Sequence, residues 1–245
     1  MTIDLNCDMA EGIGNEAELM PYISSANIAC GFHAGDPALM ASTVRLCLRH
    51  GVAVGAHPSF PDREHFGRSE MQLPADQVYA LVLEQIQLLQ AIAEKEGARV
   101  QHVKAHGALY NMAAKDQELA HAVVRAAHQA DPNLVVFGLA GSLMADVVAE
   151  AGMTMAHEVF ADRTYQADGS LTPRSRPDAL VTSVEASCKQ ALAFVRGEAI
   201  LSTDGVPIRL KADTICLHGD GEHAVDFARA IRQRLEAEKI VITHG

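Results

Sequence analysis

The sequence predicts an α/β fold, a TIM-like, seven-stranded parallel (β/α) barrel that forms a single domain over residues 1–245. Short apolar runs alternate with longer segments of helical periodicity along the whole chain. Polar or ionisable side chains directly follow six of the seven apolar runs. Such residues all meet at the carboxyl-terminal mouth of a closed barrel, whereas in an open sheet only those at a switch point would meet. This placement favours the barrel.

The predicted strands and helices alternate in order along the chain. Strands are predicted over 3–7, 26–30, 52–56, 100–104, 134–138, 154–159 and 214–218. Helices are predicted over 38–50, 75–96, 116–130, 142–151, 184–196 and 222–237. The first of these helices has Asp36 as its cap, Pro37 at its first position and Gly51 after its end. The segment 200–211 predicts a hairpin around Asp204-Gly205, an insertion that forms no domain of its own.

Composition excludes several classes of partner. The 245 residues include 20 Lys and Arg against 31 Asp and Glu, so the net charge of −11 disfavours nucleic acid and anionic membranes. No apolar run approaches the roughly 18 residues that span a bilayer, and the N-terminus lacks the basic start of a signal peptide. The five cysteines form no C-x-x-C pair. We therefore expect a cytoplasmic protein with free thiols and a small-molecule substrate.

The candidate site consists of the polar residues that follow the strands. They are Asn6, Asp8 and Glu11; His33 and Asp36; His57; Lys104, His106, Tyr110 and Asn111; Glu158, Asp162 and Arg163; and His218 and Asp220. A single histidine at a strand end is more often structural than catalytic, so the shared placement of these residues carries the prediction. Two long loops, 57–68 with Arg68 and 161–176, have the composition of lids over an anionic substrate.

Six segments resemble the LamB/YcsF family. They are DLNCDMAEGIG (4–14), SANIACGFHAGDP (25–37), GAHPSFPDREHFGR (55–68), VKAHGALYN (103–111), EVFADRTYQADGSLTPRSR (158–176) and ICLHGD (215–220), and they run from end to end of the chain. The departures are small: Ala10 stands where glycine is expected, Ala105 where proline is expected and Ser69 where a basic residue is common.

The resemblance implies both a fold and a function. The fold is a barrel of the glycoside hydrolase/deacetylase type. The function is the hydrolytic ring opening of 5-oxo-L-proline (pyroglutamate) to L-glutamate, coupled to conversion of ATP to ADP and phosphate. ATP is then a co-substrate, with Mg²⁺, and the chain is the A component of a 5-oxoprolinase assembly with separate B and C subunits.

The residues can be assigned to the steps of this reaction. Asp8, with His33 or His57, would activate water. Lys104 and His106 would face the phosphate or the oxyanion. Glu158, His218 and Asp220 would position the substrate and transfer protons. The set predicted to bind substrate carboxylate or phosphate is Asn6, Glu11, Asp36, Arg68, Tyr110, Asn111 and Arg163.

Two alternatives stay open at this point. Asp8, His33 and His57 could hold a divalent metal in a hydrolase similar to the sugar deacetylases, although their His-x-x-x-His spacing is absent here. The chain could also be a non-catalytic subunit that presents 5-oxoproline to its partners. The sequence contains neither G-x-x-x-x-G-K-[ST] nor a G-x-G-x-x-G that opens a helix. It therefore does not decide which subunit binds ATP.

Overall fold

Seven parallel strands close into a barrel in the computed structural model, which describes residues 1–218 and 224–244. The described residues also contain three short strands outside this ring. All strands in chain order are β1 (Thr2–Met9), β2 (Ser25–Ala29), β3 (Ala53–His57), β4 (Val100–Lys104), β5 (Val135–Leu139), β6 (Thr154–Phe160), β7 (Ile200–Leu201), β8 (Pro207–Ile208), β9 (Thr214–Leu217) and β10 (Val241–Ile242). The three outside the ring are β7, β8 and β10. Strands β1 to β6 pair in sequence, and β9 pairs with both β6 and β1 to close the ring. The predicted seven-stranded barrel is confirmed.

Helices cover the outside of the barrel. They are α1 (Glu16–Leu19), α2 (Pro37–His50), α3 (Ala75–Lys95), α4 (Gly107–Ala113), α5 (Gln117–Ala130), α6 (Met144–Glu150), α7 (Val184–Val195) and α8 (Ala224–Ala237). Their apolar faces pack on the outer side of the strands and form the main hydrophobic core. None of the helices in the described part of the chain is both long enough and apolar enough to cross a bilayer.

Local sequence signals account for most element ends. Asp36 caps α2 by accepting a hydrogen bond from the Leu39 amide at 2.9 Å, and Gly51 ends that helix in the left-handed conformation. The predicted hairpin is present as the antiparallel pair β7–β8. The elements α1, α4 and β10 were not predicted; α1 has four residues and β10 two, and such segments carry too little periodicity. The predicted start of the last helix at 222 and the residue Asp220 lie outside the described residues.

The inside of the barrel is polar. Asp4, Asn6 and Asp8 alternate along β1 and are all buried, because every second side chain of a strand points to the same face. His102 of β4 fills the space beside Gly55, where a Cβ atom would lie 2.0 Å from the His102 Nε2 atom. Glycine at this position of β3 is therefore needed to admit an imidazole ring.

The turn after β1 and the loop after β2 contact each other through their backbones. Ala10 has a φ of +61°, so the position where the family resemblance predicts glycine is indeed left-handed. Gly35 has a φ of +78°, and a Cβ there would lie 2.8 Å from the Ala10 carbonyl oxygen and 3.2 Å from that of Ala29. Close backbone approach thus holds the two segments that carry Glu11 and His33.

We expect Gly35→Ala to lower the free energy of unfolding by about 2–4 kcal/mol, since left-handed strain adds to a clash with rigid backbone. Gly51→Ala is the matched control, because Gly51 has a φ of +67° but nothing within 4 Å of its missing Cβ. There we expect the loss from strain alone, roughly 1–2 kcal/mol. Urea unfolding measures both variants, and equal losses would contradict the importance of the clash.

Candidate active site

A large cavity opens at the carboxyl ends of the strands. Its volume is about 860 Å³, and it is lined by residues from β1, β3, β4, β5 and β6, from the segments that follow these strands, and by His218, which follows β9. We call it the mouth cavity. Its position is the one expected for the active site of a parallel (β/α) barrel.

A buried ammonium group lies at the floor of the mouth cavity. The Lys104 Nζ atom is 2.9 Å from Asp8 Oδ1, 3.0 Å from Glu158 Oε1 and 3.0 Å from Cys216 Sγ. Only 3% of the Lys104 side chain is exposed, against 7% of Asp8 and 0% of Glu158. A charge so well removed from water persists only when opposite charges and hydrogen bonds surround it.

The surroundings of these groups keep them ionised. Burial alone would lower the pKa of Lys104, but Asp8, Cys216 and Glu158 outweigh it and raise that pKa well above its ordinary value. Burial likewise opposes ionisation of Asp8, yet His57 and Lys104 hold the pKa of this carboxyl well below its ordinary value. Lys104 is therefore an ammonium and Asp8 a carboxylate at neutral pH.

Amides inside the barrel orient the two carboxylates. Asn6 donates from Nδ2 to Glu158 Oε1 at 2.9 Å, and its Oδ1 accepts from Asn27 Nδ2 at 2.7 Å. Asn27 Nδ2 also donates to Asp8 Oδ1 at 2.8 Å. His102 Nε2 then donates to Asn27 Oδ1 at 2.8 Å, and burial lowers the pKa of this ring to about 3. The carboxylates are thus held by a continuous hydrogen-bond network across β1, β2, β4 and β6.

Glu11, His33, His57 and His106 form a second group of side chains beside Asp8, which we call the histidine cluster. Glu11 Oε1 is 3.3 Å from His33 Nε2, 3.5 Å from His106 Nδ1 and 3.9 Å from His57 Nε2. His57 Nε2 lies 2.9 Å from His106 Nδ1 and 3.4 Å from Asp8 Oδ2. The rings of His33 and His106 stack with their centroids 3.8 Å apart.

Two sets of side chains in the described part of the chain have the composition and spacing of metal ligands. One is the histidine cluster, and the other consists of Asp8, Cys216 and His218. In the second set the Lys104 ammonium already lies within 3.0 Å of both Asp8 and Cys216, so a cation is provided by the chain itself. Burial lowers the pKa of His33 to about 2 and that of His106 well below its ordinary value.

Tyr110 and Glu158 place two further polar atoms close together. Tyr110 Oη and Glu158 Oε2 are buried, and neither has a hydrogen-bond partner of good geometry among the described residues. Burial and the neighbouring Glu158 raise the pKa of Tyr110 well above its ordinary value. The hydroxyl therefore keeps its proton and can donate a hydrogen bond to a ligand in the mouth cavity, which Tyr110 lines.

Cationic side chains surround the cavity on its outer side. Arg68 and Arg174 line it from the two long loops, and Lys115 lines it from the segment after α4. Arg163 also lines it; its guanidinium donates to the carbonyl oxygens of Thr172 at 2.6 Å and Ala179 at 3.3 Å. Burial and the neighbouring Arg174 lower the pKa of Arg163 to about 10, which still leaves it charged. This lining suits a ligand with carboxylate or phosphate groups.

An ion pair stands on the β9 side of the cavity. His218 Nδ1 lies 2.6 Å from Asp162 Oδ2, with 15% and 22% of the side chains exposed. Burial opposes both charges, but each group favours the charged form of the other. The pKa of His218 is consequently raised and that of Asp162 lowered.

The stability that this pair provides should depend on pH. Because the folded pKa of His218 is raised, its contribution is full below the ordinary value of about 6.5 and is lost as the pH rises through the higher folded value. Because the folded pKa of Asp162 is lowered below its ordinary value of about 3.8, the stabilisation by the pair is also lost in acid, as the pH falls through that lowered pKa. We expect His218→Gln to cost about 1.5–3 kcal/mol near pH 6 and clearly less in alkaline solution. Urea unfolding across this range tests it, and a cost independent of pH would contradict it.

The structure places the predicted site residues in four groups. Those that line the mouth cavity are Asp8, Glu11, His57, Arg68, Lys104, His106, Tyr110, Asn111, Arg163 and His218. Asn6, His33 and Glu158 are buried directly behind this lining and contact it through the networks above. Asp36 does not line the cavity and serves as the α2 cap. Asp220 lies outside the described residues.

Some residues of the network were missed from the sequence. They are Asn27, His102, Cys216 and Ser59. Asn27 and His102 occupy strand interiors, and only their polarity within otherwise apolar runs could have pointed to the barrel interior. Cys216 looks like an ordinary buried cysteine, and no signal distinguishes it.

Comparisons with known proteins show the family to which the chain belongs. The family model "LamB/YcsF family" matches residues 3–244. The A subunit of the 5-oxoprolinase from Bordetella pertussis is 51% identical, over 98% of this chain and 97% of that protein. The crystal structure of a lactam utilization protein from Thermus thermophilus is 41% identical, with a TM-score of 0.93 over 99% of both chains.

More distant structures share the fold alone. A glycoside hydrolase family 30 xylanase from Clostridium acetobutylicum is 8% identical, with a TM-score of 0.54 over 95% of this chain and 70% of that one. This agrees with the predicted barrel fold. With a family model that spans nearly all of it and a close relative that matches from end to end, the chain belongs to the LamB/YcsF family.

Proposed function

We propose that this chain takes part in 5-oxoproline metabolism as the subunit that opens the lactam ring. The reaction is the ATP-dependent hydrolysis of 5-oxo-L-proline to L-glutamate in an assembly with B and C subunits. The names of the similar proteins from Bordetella pertussis and Thermus thermophilus support the substrate class. The observation that carries the proposal is the Lys104 ammonium held between Asp8 and Glu158 at the floor of a cavity whose lining includes Arg68, Lys115, Arg163 and Arg174.

The chemistry sets four requirements on such a site. The lactam carbon is a poor electrophile, so the carbonyl oxygen first attacks the γ-phosphorus of ATP and releases ADP. Water then adds to the activated carbon, and the carbon–nitrogen bond breaks as the nitrogen takes up a proton. A second water hydrolyses the resulting acyl phosphate to the carboxylate and phosphate. The site must bind the substrate carboxylate, stabilise phosphate charge, accept a proton from water and donate one to nitrogen.

Residues of the mouth cavity can meet each requirement. The carboxylate of Asp8 is the base for water, and the Lys104 ammonium next to it stabilises the developing oxyanion or the phosphate. Tyr110, whose pKa is raised, donates a proton or a hydrogen bond toward the substrate. Arg68 and Arg163 line the cavity and would bind the carboxylate and the phosphate. Mg²⁺ would accompany ATP as part of the co-substrate.

Reconstitution tests this function. The full chain is combined with the B and C subunits, and the formation of glutamate from 5-oxo-L-proline is followed together with the release of ADP and phosphate. We expect turnover only with ATP and all subunits. Glutamate formation at an equal rate when this chain is omitted would contradict a role in ring opening.

A second experiment locates the nucleotide. Labelled ATP with Mg²⁺ is titrated into the isolated chain and, separately, into the B and C subunits. Binding of ATP to the B or C subunit and not to this chain would place the nucleotide site on the partners. Tight binding of ATP to the isolated chain would place the phosphorylation step in the mouth cavity.

A further inference from the structure

In two histidines of the cluster, the outer ring nitrogen, which points away from the other cluster residues, donates a hydrogen bond to the backbone. His57 Nδ1 lies 2.8 Å from the Lys104 carbonyl oxygen, and His106 Nε2 lies 2.8 Å from the Phe66 carbonyl oxygen. A carbonyl oxygen can only accept a hydrogen bond, so both of these nitrogens carry the hydrogen. In a neutral ring the other nitrogen then presents a lone pair.

The third histidine follows the same pattern through a hydroxyl group. His33 Nδ1 lies 2.9 Å from Ser59 Oγ, and that hydroxyl donates its single proton to the Phe60 carbonyl oxygen at 2.9 Å. Ser59 therefore accepts from His33, whose Nδ1 carries the hydrogen and whose Nε2 presents the lone pair. When neutral, each of the three rings is therefore in the tautomer whose lone pair points toward the other cluster atoms.

These lone pairs converge on one another and on a carboxylate. His57 Nε2 and His106 Nδ1 are 2.9 Å apart, and Glu11 Oε1 lies 3.5 Å from the latter. His33 contributes the fourth ligand atom, and the four atoms from Glu11, His33, His57 and His106 all lie within 4.8 Å of one another. Four electron-rich atoms so close together repel unless a proton or a metal cation lies among them. A single proton could bridge the two nearest nitrogens, but His33 Nε2 and Glu11 Oε1 would still face each other at 3.3 Å as two acceptors.

We propose that Glu11, His33, His57 and His106 bind a divalent first-row transition-metal ion at the floor of the mouth cavity. Three imidazole nitrogens and one carboxylate oxygen suit Zn²⁺, Fe²⁺, Co²⁺ or Mn²⁺ better than the hard cations Ca²⁺ and Mg²⁺, which prefer oxygen ligands. Hydrogen bonds from the outer nitrogens to fixed acceptors are the usual support of metal-binding histidines.

This ligand set differs from the Asp8, His33 and His57 set expected from the sequence. Asp8 Oδ1 accepts from Lys104 and Asn27, while its Oδ2 lies 3.4 Å from His57 Nε2. Asp8 is not among the four residues whose ligand atoms all lie within 4.8 Å of one another, so it borders the proposed site and is not counted among its ligands. An ion here would be a Lewis acid beside the base assigned to water. The inference does not rest on the proposed function, because bound metal is measured without turnover.

Metal content is the direct test. The full chain is treated with a chelator, dialysed, and loaded separately with Zn²⁺, Mn²⁺, Fe²⁺ (without oxygen) and Co²⁺. Gel filtration then removes free metal, and elemental analysis counts the ions. We expect about one ion per chain for at least one metal, together with visible absorption bands when that ion is Co²⁺. A wild-type chain that retains none of the four would overturn the inference and indicate a shared proton instead.

Variants locate the ion. We expect His33→Gln and His106→Gln each to weaken binding by ~100-fold or more, and Ser59→Ala, which removes only the outer acceptor, to weaken it by about 10- to 100-fold. His218→Gln is the matched control, because His218 belongs to the other possible ligand set. Circular dichroism checks that each variant is folded. Metal binding that is lost in His218→Gln but kept in His106→Gln would overturn the assignment. If a ligand variant does not fold, the number of ions bound per wild-type chain is the deciding measurement.

Discussion

Lys104→Met is expected to abolish ring opening and to lower the free energy of unfolding by about 3–5 kcal/mol. The methionine side chain has a similar length but no charge, so Asp8 and Glu158 would be left as two buried carboxylates without their shared cation. The activity is lost because no other ammonium group of the described residues lies within reach of both carboxylates. Urea unfolding and the reconstituted glutamate assay measure the two effects.

Two further variants separate stability from chemistry. Lys95→Met is the matched control, because Lys95 is exposed in the last turn of α3 and should change neither property. Adding Glu158→Gln to Lys104→Met removes one of the unpaired charges, so we expect part of the stability but none of the activity to return. A fully active Lys104→Met variant would remove Lys104 from the mechanism.

Asp8→Asn is expected to leave the fold intact while lowering the rate of ring opening by about 10²- to 10⁴-fold, the usual contribution of a general base. The asparagine Oδ1 can still accept from Lys104 and Asn27, as the aspartate Oδ1 does at 2.9 and 2.8 Å. An amide cannot take a proton from water at neutral pH. The glutamate assay with saturating 5-oxo-L-proline and ATP measures the loss, and circular dichroism checks the fold.

The control is the same aspartate-to-asparagine substitution at a position outside the mouth cavity. Asp116 caps α5 by accepting from the amides of Glu118 and Leu119 and is exposed, and asparagine is an equally good cap. Asp116→Asn should therefore keep both stability and activity. Near-normal turnover in Asp8→Asn would exclude Asp8 as the base and shift that role to another group of the mouth cavity.

The barrel was predictable because its signals are local. Seven apolar runs, the Asp36 cap and the Gly51 stop of α2 are visible within a few residues of each other, and the mouth location follows from the polarity of the strand ends. Elements too short to show a period, such as α1 and β10, were not predictable in this way. Asp36 has the sequence signature of both a helix cap and a site residue at a strand end, and only the structure shows that it caps α2 and does not line the mouth cavity.

Contacts across the barrel required the closed sheet itself. Lys104 contacts Asp8 and Cys216, which are 96 and 112 residues away in the sequence. No periodicity of the chain specifies which side chains of the seven strands reach the same height inside the ring. That height depends on the stagger and tilt of the strands when β9 closes on β1. The tautomers of the cluster histidines likewise depend on carbonyl and hydroxyl acceptors from distant loops. Residue types and strand order could therefore be read along the chain, whereas the ammonium between two carboxylates and the convergent lone pairs exist only once the barrel has closed.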